Sequence, residues 1–179
     1  MGTAAFEYYQ ANRERFLEGL KDLLRIPSVS TLPAHKSDIA RAAGFIAREL
    51  TEMGMEGVEI IPGKPAAAGG PAQHPLVYAE WLHAAGKPTL ILYGHYDVQP
   101  PDPLDEWISP PFEPAVRNDN IYARGAVDDK GQTYLLLKAV EGFLRPMASC
   151  PSTSNSLSKA KKKSAASTSN STFEASPCA

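Results

Sequence analysis

Cysteine is scarce in this chain, with only Cys150 and Cys178 among 179 residues. Both lie near the carboxyl end, in a stretch without a predicted core, which excludes a disulfide framework. Long apolar runs are lacking too. None approaches the roughly 20 residues that a membrane-crossing helix needs. The amino terminus has neither the basic nor the apolar region of a signal peptide. Met1-Gly2 opens like a myristoylation site, but Phe6 stands where Ser or Thr is required. There is no internal repeat. These absences predict a soluble, cytoplasmic protein with no membrane partner.

What is present is the composition of a globular chain, 43% hydrophobic with a net charge of -2, which suits one domain or part of a larger one. The charge is unevenly spread. Residues 1–145 hold 14 Lys and Arg against 19 acids, a net of -5, whereas residues 146–179 hold four Lys against one Glu, a net of +3. Two kinds of sequence are joined near residue 145.

In residues 1–145 the apolar periodicity alternates between helical and extended. Phe6, Tyr9, Phe16, Leu20, Leu23 and Leu24 predict an amphipathic helix over Phe6–Arg25 that stops before Pro27. A turn from Ile26 to Thr31 follows. Ser37 is placed to cap a second helix with Ile39, Ala42, Ala43, Ile46, Leu50 and Met53 on one face, closed by Gly54 and Gly57. Val58–Ile61 and Leu76–Trp81 read as strands around a Pro, Gly and Ala loop. Leu90–Tyr93 reads as a short buried strand, and Pro100–Pro114, with Trp107 and Phe112, as an irregular loop at the rim of a site. Ile121–Arg124 is a further strand. A last helix from about Gln132 to Leu144 has Leu135, Leu136, Ala139, Val140 and Phe143 as its expected buried side. This alternation predicts an α/β fold.

The chemistry concentrates where the Leu90–Tyr93 strand ends. His95 and Asp97 are two residues apart, so on an extended backbone both point to one face. Strand carboxyl ends are where open α/β sheets bind ligands. Asp128 sits 33 residues on, at the next turn from strand to helix. Imidazole nitrogen and carboxylate oxygen together suit Zn²⁺, Mn²⁺ or Co²⁺. Spacing alone supports equally well an ordinary His95–Asp97 pair with Asp128 capping the following helix.

Three blocks in order, Gly94-His95-Tyr96-Asp97-Val98-Gln99-Pro100, then Trp107 with Pro110-Pro111-Phe112, then Tyr122-Ala123-Arg124-Gly125-Ala126-Val127-Asp128-Asp129-Lys130-Gly131, resemble the M20 family of metallopeptidases. Tyr96, Gln99 and the Trp and Pro-Pro-Phe loop are more similar to its carnosinase-like dipeptidase branch than to its deacylase branch. The resemblance covers roughly residues 5 to 145, the amino-terminal part of the family's catalytic domain. It implies a zinc-peptidase fold, a mixed twisted sheet flanked by helices. It also implies that His95 binds one of two metals, that Asp128 bridges them, and that Asp97 stands behind the imidazole as its catalytic partner. A cis peptide between Asp128 and Asp129 is implied as well. The implied activity is hydrolysis of a dipeptide or small peptide by a water held between two divalent metals, Zn²⁺ foremost, in proteins that are often homodimeric. Deacylation of an N-acyl amino acid remains an alternative. The family's Glu-Glu pair, its further acid and its last His are not found, so an inactive, non-catalytic fragment is another.

Residues 146–179 contain ten Ser and the run Lys159-Ala160-Lys161-Lys162-Lys163. A disordered low-complexity tail is one reading, and a basic nucleic-acid patch is another, disfavoured because one small Lys cluster is usually just solvated. No nucleic-acid partner is therefore expected. The third reading, which we favour, is a shifted reading frame. Lys codons begin AA and end in A or G, so a frame using the last base of one codon and the first two of the next turns Lys-Lys into Glu whenever that last base is G. Ser158 to Lys163 then permits Glu-Gly-Glu-Glu-Glu, which looks like the absent Glu-Glu block. The coding DNA near codon 145 is expected to show a one-base loss or an equivalent splice or assembly error. Nucleotides across Lys161–Lys163 that encode Glu-Glu in no frame would contradict it.

Overall fold

The computed structural model describes residues 3–64 and 73–148, so of the expected tail, residues 146–179, all but the first three lie outside the described residues, and those three close the last helix instead. Its elements, in chain order, are α1 (Thr3–Leu24), a 3-10 turn at Pro33–His35, α2 (Lys36–Met53), β1 (Glu56–Ile61), β2 (Leu76–Glu80), β3 (Ala115–Arg117), β4 (Asn120–Tyr122) and α3 (Lys130–Ala148). A further 3-10 turn, Leu104–Glu106, lies inside the Pro-rich loop. No helix among the described residues is long and apolar enough to cross a membrane.

The core forms where the three helices meet. Leu23 and Ile26 from α1 and its exit pack with Ala42, Phe45 and Ile46 of α2 and with Tyr134 of α3. The expected face of α2 is buried at Ile39, Ala42, Ala43, Ile46 and Met53. Its start differs from expectation. The Pro33–His35 turn leads directly into Lys36, so Ser37 falls inside the first turn and caps nothing, and no side chain caps this end. At the other end Gly54 adopts φ +96°, and its N–H closes on the carbonyls of Leu50 and Thr51.

The strands pair antiparallel, β1 with β2 and β3 with β4, as two two-stranded sheets among the described residues. β3 was not anticipated. Asn118 and Asp119 both take positive φ, 49° and 61°, the conformation of the tight turn that joins hairpin strands and that Asn and Asp tolerate. This two-residue signal was available in the sequence.

Two expectations about burial are overturned. Leu90–Tyr93 is not assigned as strand. Leu90, Ile91 and Tyr93 are 75%, 85% and 81% exposed, respectively. A strand needs a neighbour to complete its main-chain hydrogen bonds, and none pairs with this segment among the described residues. On α3 the expected inner face is the outer one, since Leu135 and Phe143 are 65% and 53% exposed while Tyr134, Lys138 and Glu141 are buried. Apolar residues run all round this helix, so pattern alone does not choose a face.

The choice is made by a polar network. Glu141 Oε1 accepts hydrogen bonds from Arg15 Nη2 at 2.5 Å and Tyr8 Oη at 2.8 Å, and Oε2 accepts from Lys138 Nζ at 2.7 Å. Lys138 also pairs with Glu49 of α2, and its ammonium lies 4.9 Å from the centre of the Tyr134 ring. Charges buried this way require each other. At Gly19 of α1 an added Cβ would stand 2.1 Å from the Tyr134 hydroxyl, so α1 and α3 approach as closely as they do only over a glycine.

Burial works against the Glu141 charge, but hydrogen bonds from Lys138, Arg15 and Tyr8 outweigh it and hold the carboxyl below its ordinary 4.5. A lowered folded-state pKa contributes stability that is present above the unfolded value and lost as pH falls through the folded value. Acid unfolding is therefore expected to steepen below pH 4.5, and Glu141→Gln to flatten it while costing about 3 kcal/mol at neutral pH. Denaturant titrations of both proteins from pH 7 to pH 3 check this, and an unchanged acid limb in Glu141→Gln would contradict it.

Candidate active site

Residues 94–98 belong to neither two-stranded sheet, and the chain holds them from one side by the turn after α1. Val98 N–H donates to the Ser28 carbonyl at 2.9 Å, and Val29 and Val98 form a parallel bridge. The Ser28 hydroxyl donates to the Tyr96 carbonyl at 2.6 Å. Ser28 and Val29 are essentially inaccessible to solvent. The Tyr96 hydroxyl donates to the Pro75 carbonyl, and burial, with the charge of Asp97 adding to it, pushes its pKa up to about 12.

From the other side comes the turn into α3. Gly125 sits at φ +84° against Val98 and Lys130, a conformation that favours glycine. Lys130 is fully buried, and its Nζ donates to the carbonyls of Leu23 at 3.2 Å and Ile26 at 2.5 Å. Burial lowers its pKa to about 8. The Leu23 and Ile26 carbonyls also accept the N–H groups of Ile26 and Ser28, and the ammonium, as a further donor to both, fastens the α3 turn to the exit of α1. The Asp128–Asp129 peptide is cis, as is Asp102–Pro103.

Between these supports the three anticipated residues come together. His95 Nδ1 lies 3.1 Å from Asp97 Oδ1 and 3.2 Å from the Asp97 carbonyl. His95 Nε2 lies 3.2 Å from Asp128 Oδ1. The Asp128 side chain is 84% exposed, against 40% for His95. Burial opposes charge on the imidazole, but Asp97, then Asp129 and Asp128, outweigh it and hold the His95 pKa above 6.5.

Two donors bound about 2.0–2.1 Å from one tetrahedral cation stand about 3.3 Å apart. The Nε2 to Oδ1 distance of 3.2 Å fits that spacing. In the tautomer whose Nδ1 proton is donated to Asp97, the Nε2 lone pair would serve a cation placed between Nε2 and Asp128 Oδ1. The donors thus suit a divalent metal. No group of three His, Cys, Asp or Glu that could hold an ion occurs among the described residues.

The Pro-rich loop has its own fastening. Arg124 Nη2 donates to the Pro100 carbonyl at 3.1 Å and Trp107 Nε1 to the Pro101 carbonyl at 2.7 Å, while Arg124 Nε is buried without a partner among the described residues. The pocket it makes with the β3–β4 hairpin, about 380 Å³, is lined by Trp107, Arg117, Tyr122 and Arg124 among others, and by none of His95, Asp97 or Asp128.

Comparison with known proteins matches residues 91–151 to the family described as Peptidase family M20/M25/M40. Beta-Ala-His dipeptidase of Rattus norvegicus is 28% identical over 77% of this chain and 29% of its own length. Human carnosine dipeptidase 1 superposes with a TM-score of 0.71 at 29% identity, over 79% of this chain and 30% of that one. The described residues are thus similar to part of an M20 peptidase, with dipeptidases among the relatives they match. Succinyl-diaminopimelate desuccinylase of Nitrosococcus oceani is 36% identical over 59% of this chain and 25% of its own length. The chain therefore spans about a quarter to a third of the length of the relatives it matches.

The residues that hold the site's backbone were missed by sequence reasoning. Ser28 was read only as part of a turn, and Asp129, Lys130 and Thr133 were assigned no role. Their partners lie tens of residues away, at Tyr96, Leu23, Ile26 and His95, so no local pattern announces them.

Proposed function

We propose that this protein belongs to a metal-dependent peptidase that hydrolyses a dipeptide or small peptide, with His95 and Asp128 as metal ligands and Asp97 as the partner behind the imidazole. The observation that carries the reading is the 3.2 Å approach of His95 Nε2 to Asp128 Oδ1, with Asp97 on the opposite ring nitrogen.

Asp97 keeps the imidazole in the tautomer that presents Nε2 and raises its basicity. Asp128, with a carboxylate open to solvent, has one oxygen free to reach a second ion beside the first. When bound there, two divalent cations supply polarisation of the peptide carbonyl and a water acidic enough to attack near neutral pH. Zn²⁺ suits this donor set best, and Mn²⁺ and Co²⁺ are accepted by the same atoms. A homodimer rests on the family resemblance alone.

The 36% identity to a desuccinylase supports a second reading, removal of an acyl group from an N-acylated amino acid by the same site. Both are hydrolyses of an amide, and they differ in what flanks it.

Two ligands fall short of the three protein ligands that a catalytic zinc ordinarily takes. The 179-residue polypeptide by itself is thus expected to cleave dipeptides no faster than a metal-stripped control. A protein read through in the shifted frame near codon 145 is expected to cleave them with added Zn²⁺ or Mn²⁺, and to lose at least about 100-fold in rate in His95→Ala. Cleavage of N-succinyl amino acids in place of dipeptides would favour the second reading, and full activity in His95→Ala would contradict both.

A further inference from the structure

Asp129 is the residue after the proposed bridging ligand, at the start of α3, and its side chain is not spent on its own helix's free amides. Asp129 Oδ2 accepts the main-chain N–H of His95 at 3.0 Å. It also lies 3.0 Å from the Thr133 hydroxyl, which stands 3.2 Å from the His95 carbonyl. The first turn of α3 therefore meets both main-chain polar groups of a single residue, the N–H through a carboxylate and the C=O through a hydroxyl. These are the groups that a neighbouring strand would ordinarily engage, and no strand pairs with His95 among the described residues.

A second observation, independent of those bonds, points the same way. A Cβ built on Gly94 would lie 2.3 Å from Thr133 Oγ1 and 3.1 Å from Asp129 Oδ2. Gly94 is not at positive φ, so backbone conformation does not demand glycine here. Space for Thr133 and Asp129 does.

We propose that Asp129 and Thr133 are positioning residues for the metal centre: they clamp the main chain of His95 so that its Nε2 is held beside Asp128 before any ion arrives. This rests on the metal-site reading given above. The ring has two remaining freedoms once the clamp has fixed the backbone, and Asp97 on Nδ1 restrains them. Without the clamp, His95 hangs from a segment whose upstream neighbours, Leu90 to Tyr93, are unpaired and largely exposed. Ligand geometry would then have to be assembled at the expense of affinity, which is how partners behind a ligand usually act.

The test uses the 179-residue chain with Co²⁺ alone as probe, following its visible absorbance, with helix content and unfolding midpoint recorded for every variant. Thr133→Val keeps shape and removes the hydroxyl, and it is expected to weaken Co²⁺ binding about tenfold or more, with Thr133→Ser within about twofold of the parent. Without metal, Asp129→Ala is expected to speed amide exchange at His95 about tenfold, through loss of a charge-assisted hydrogen bond. Asp129→Asn, which keeps an acceptor, is expected to fall between Asp129→Ala and the parent. Unaltered Co²⁺ affinity in Thr133→Val while His95→Ala binds weakly, or unaltered His95 exchange in Asp129→Ala, overturns the clamp and leaves the metal reading standing. Unaltered Co²⁺ binding in His95→Ala overturns the metal reading, and the proposal with it. A Co²⁺ affinity that falls only in step with the unfolding midpoint assigns the two residues a purely structural role and also overturns it.

Discussion

Everything at the candidate site depends on holding residues 94–98 in place outside either two-stranded sheet. Main-chain polar groups removed from water must be satisfied, and here the work is divided. The buried turn at Ser28–Val29 engages Tyr96 and Val98, and the start of α3 meets the His95 peptide through side chains. Lys130 then fastens that same start of α3 to the carbonyl end of α1. His95 and Asp128 thus sit on two segments that are each tied to the exit of one helix, which keeps their separation independent of the exposed stretch before Gly94.

The same helices carry an unusual seam. α3 turns its charged residues inward, toward Arg15, Tyr8 and Glu49, and leaves Leu135 and Phe143 outside. The arrangement follows from mutual need. Lys138 and Glu141, both nearly inaccessible, would be costly to bury apart, and the aromatic faces of Phe16 and Tyr134 add favourable surroundings for the ammonium. The outer face of α3, with Leu135 and Phe143, is left exposed, as is the Leu90–Tyr93 stretch.

Much of this was legible in the residues themselves. The α1 helix and the α2 face follow from helical periodicity, and the β1 and β2 strands from short apolar runs bounded by loop residues. His95, Asp97 and Asp128 were singled out by alternation at a strand end and by their motif blocks, and the structure brings Asp97 and Asp128 within hydrogen-bonding distance of the two ring nitrogens of His95. The inner face of α3 was misread because both of its faces are apolar enough, and an ion-pair network with another helix decided between them. Leu90–Tyr93 was misread because a strand is made by its neighbours, and strand propensity says nothing about whether a neighbour is present. Asp129, Thr133 and Ser28 were invisible because each acts on a main-chain group far away in sequence.

The central claim is that His95 offers Nε2 to a cation beside Asp128 while Asp97 holds the proton on Nδ1. ¹⁵N spectroscopy of the histidine ring nitrogens during a Zn²⁺ titration tests it most directly. The account predicts that the His95 Nε2 resonance moves on binding while Nδ1 stays protonated, and that this movement vanishes in Asp128→Asn. Coordination through Nδ1, or a His95 ring indifferent to Zn²⁺ at saturating concentration, would contradict it.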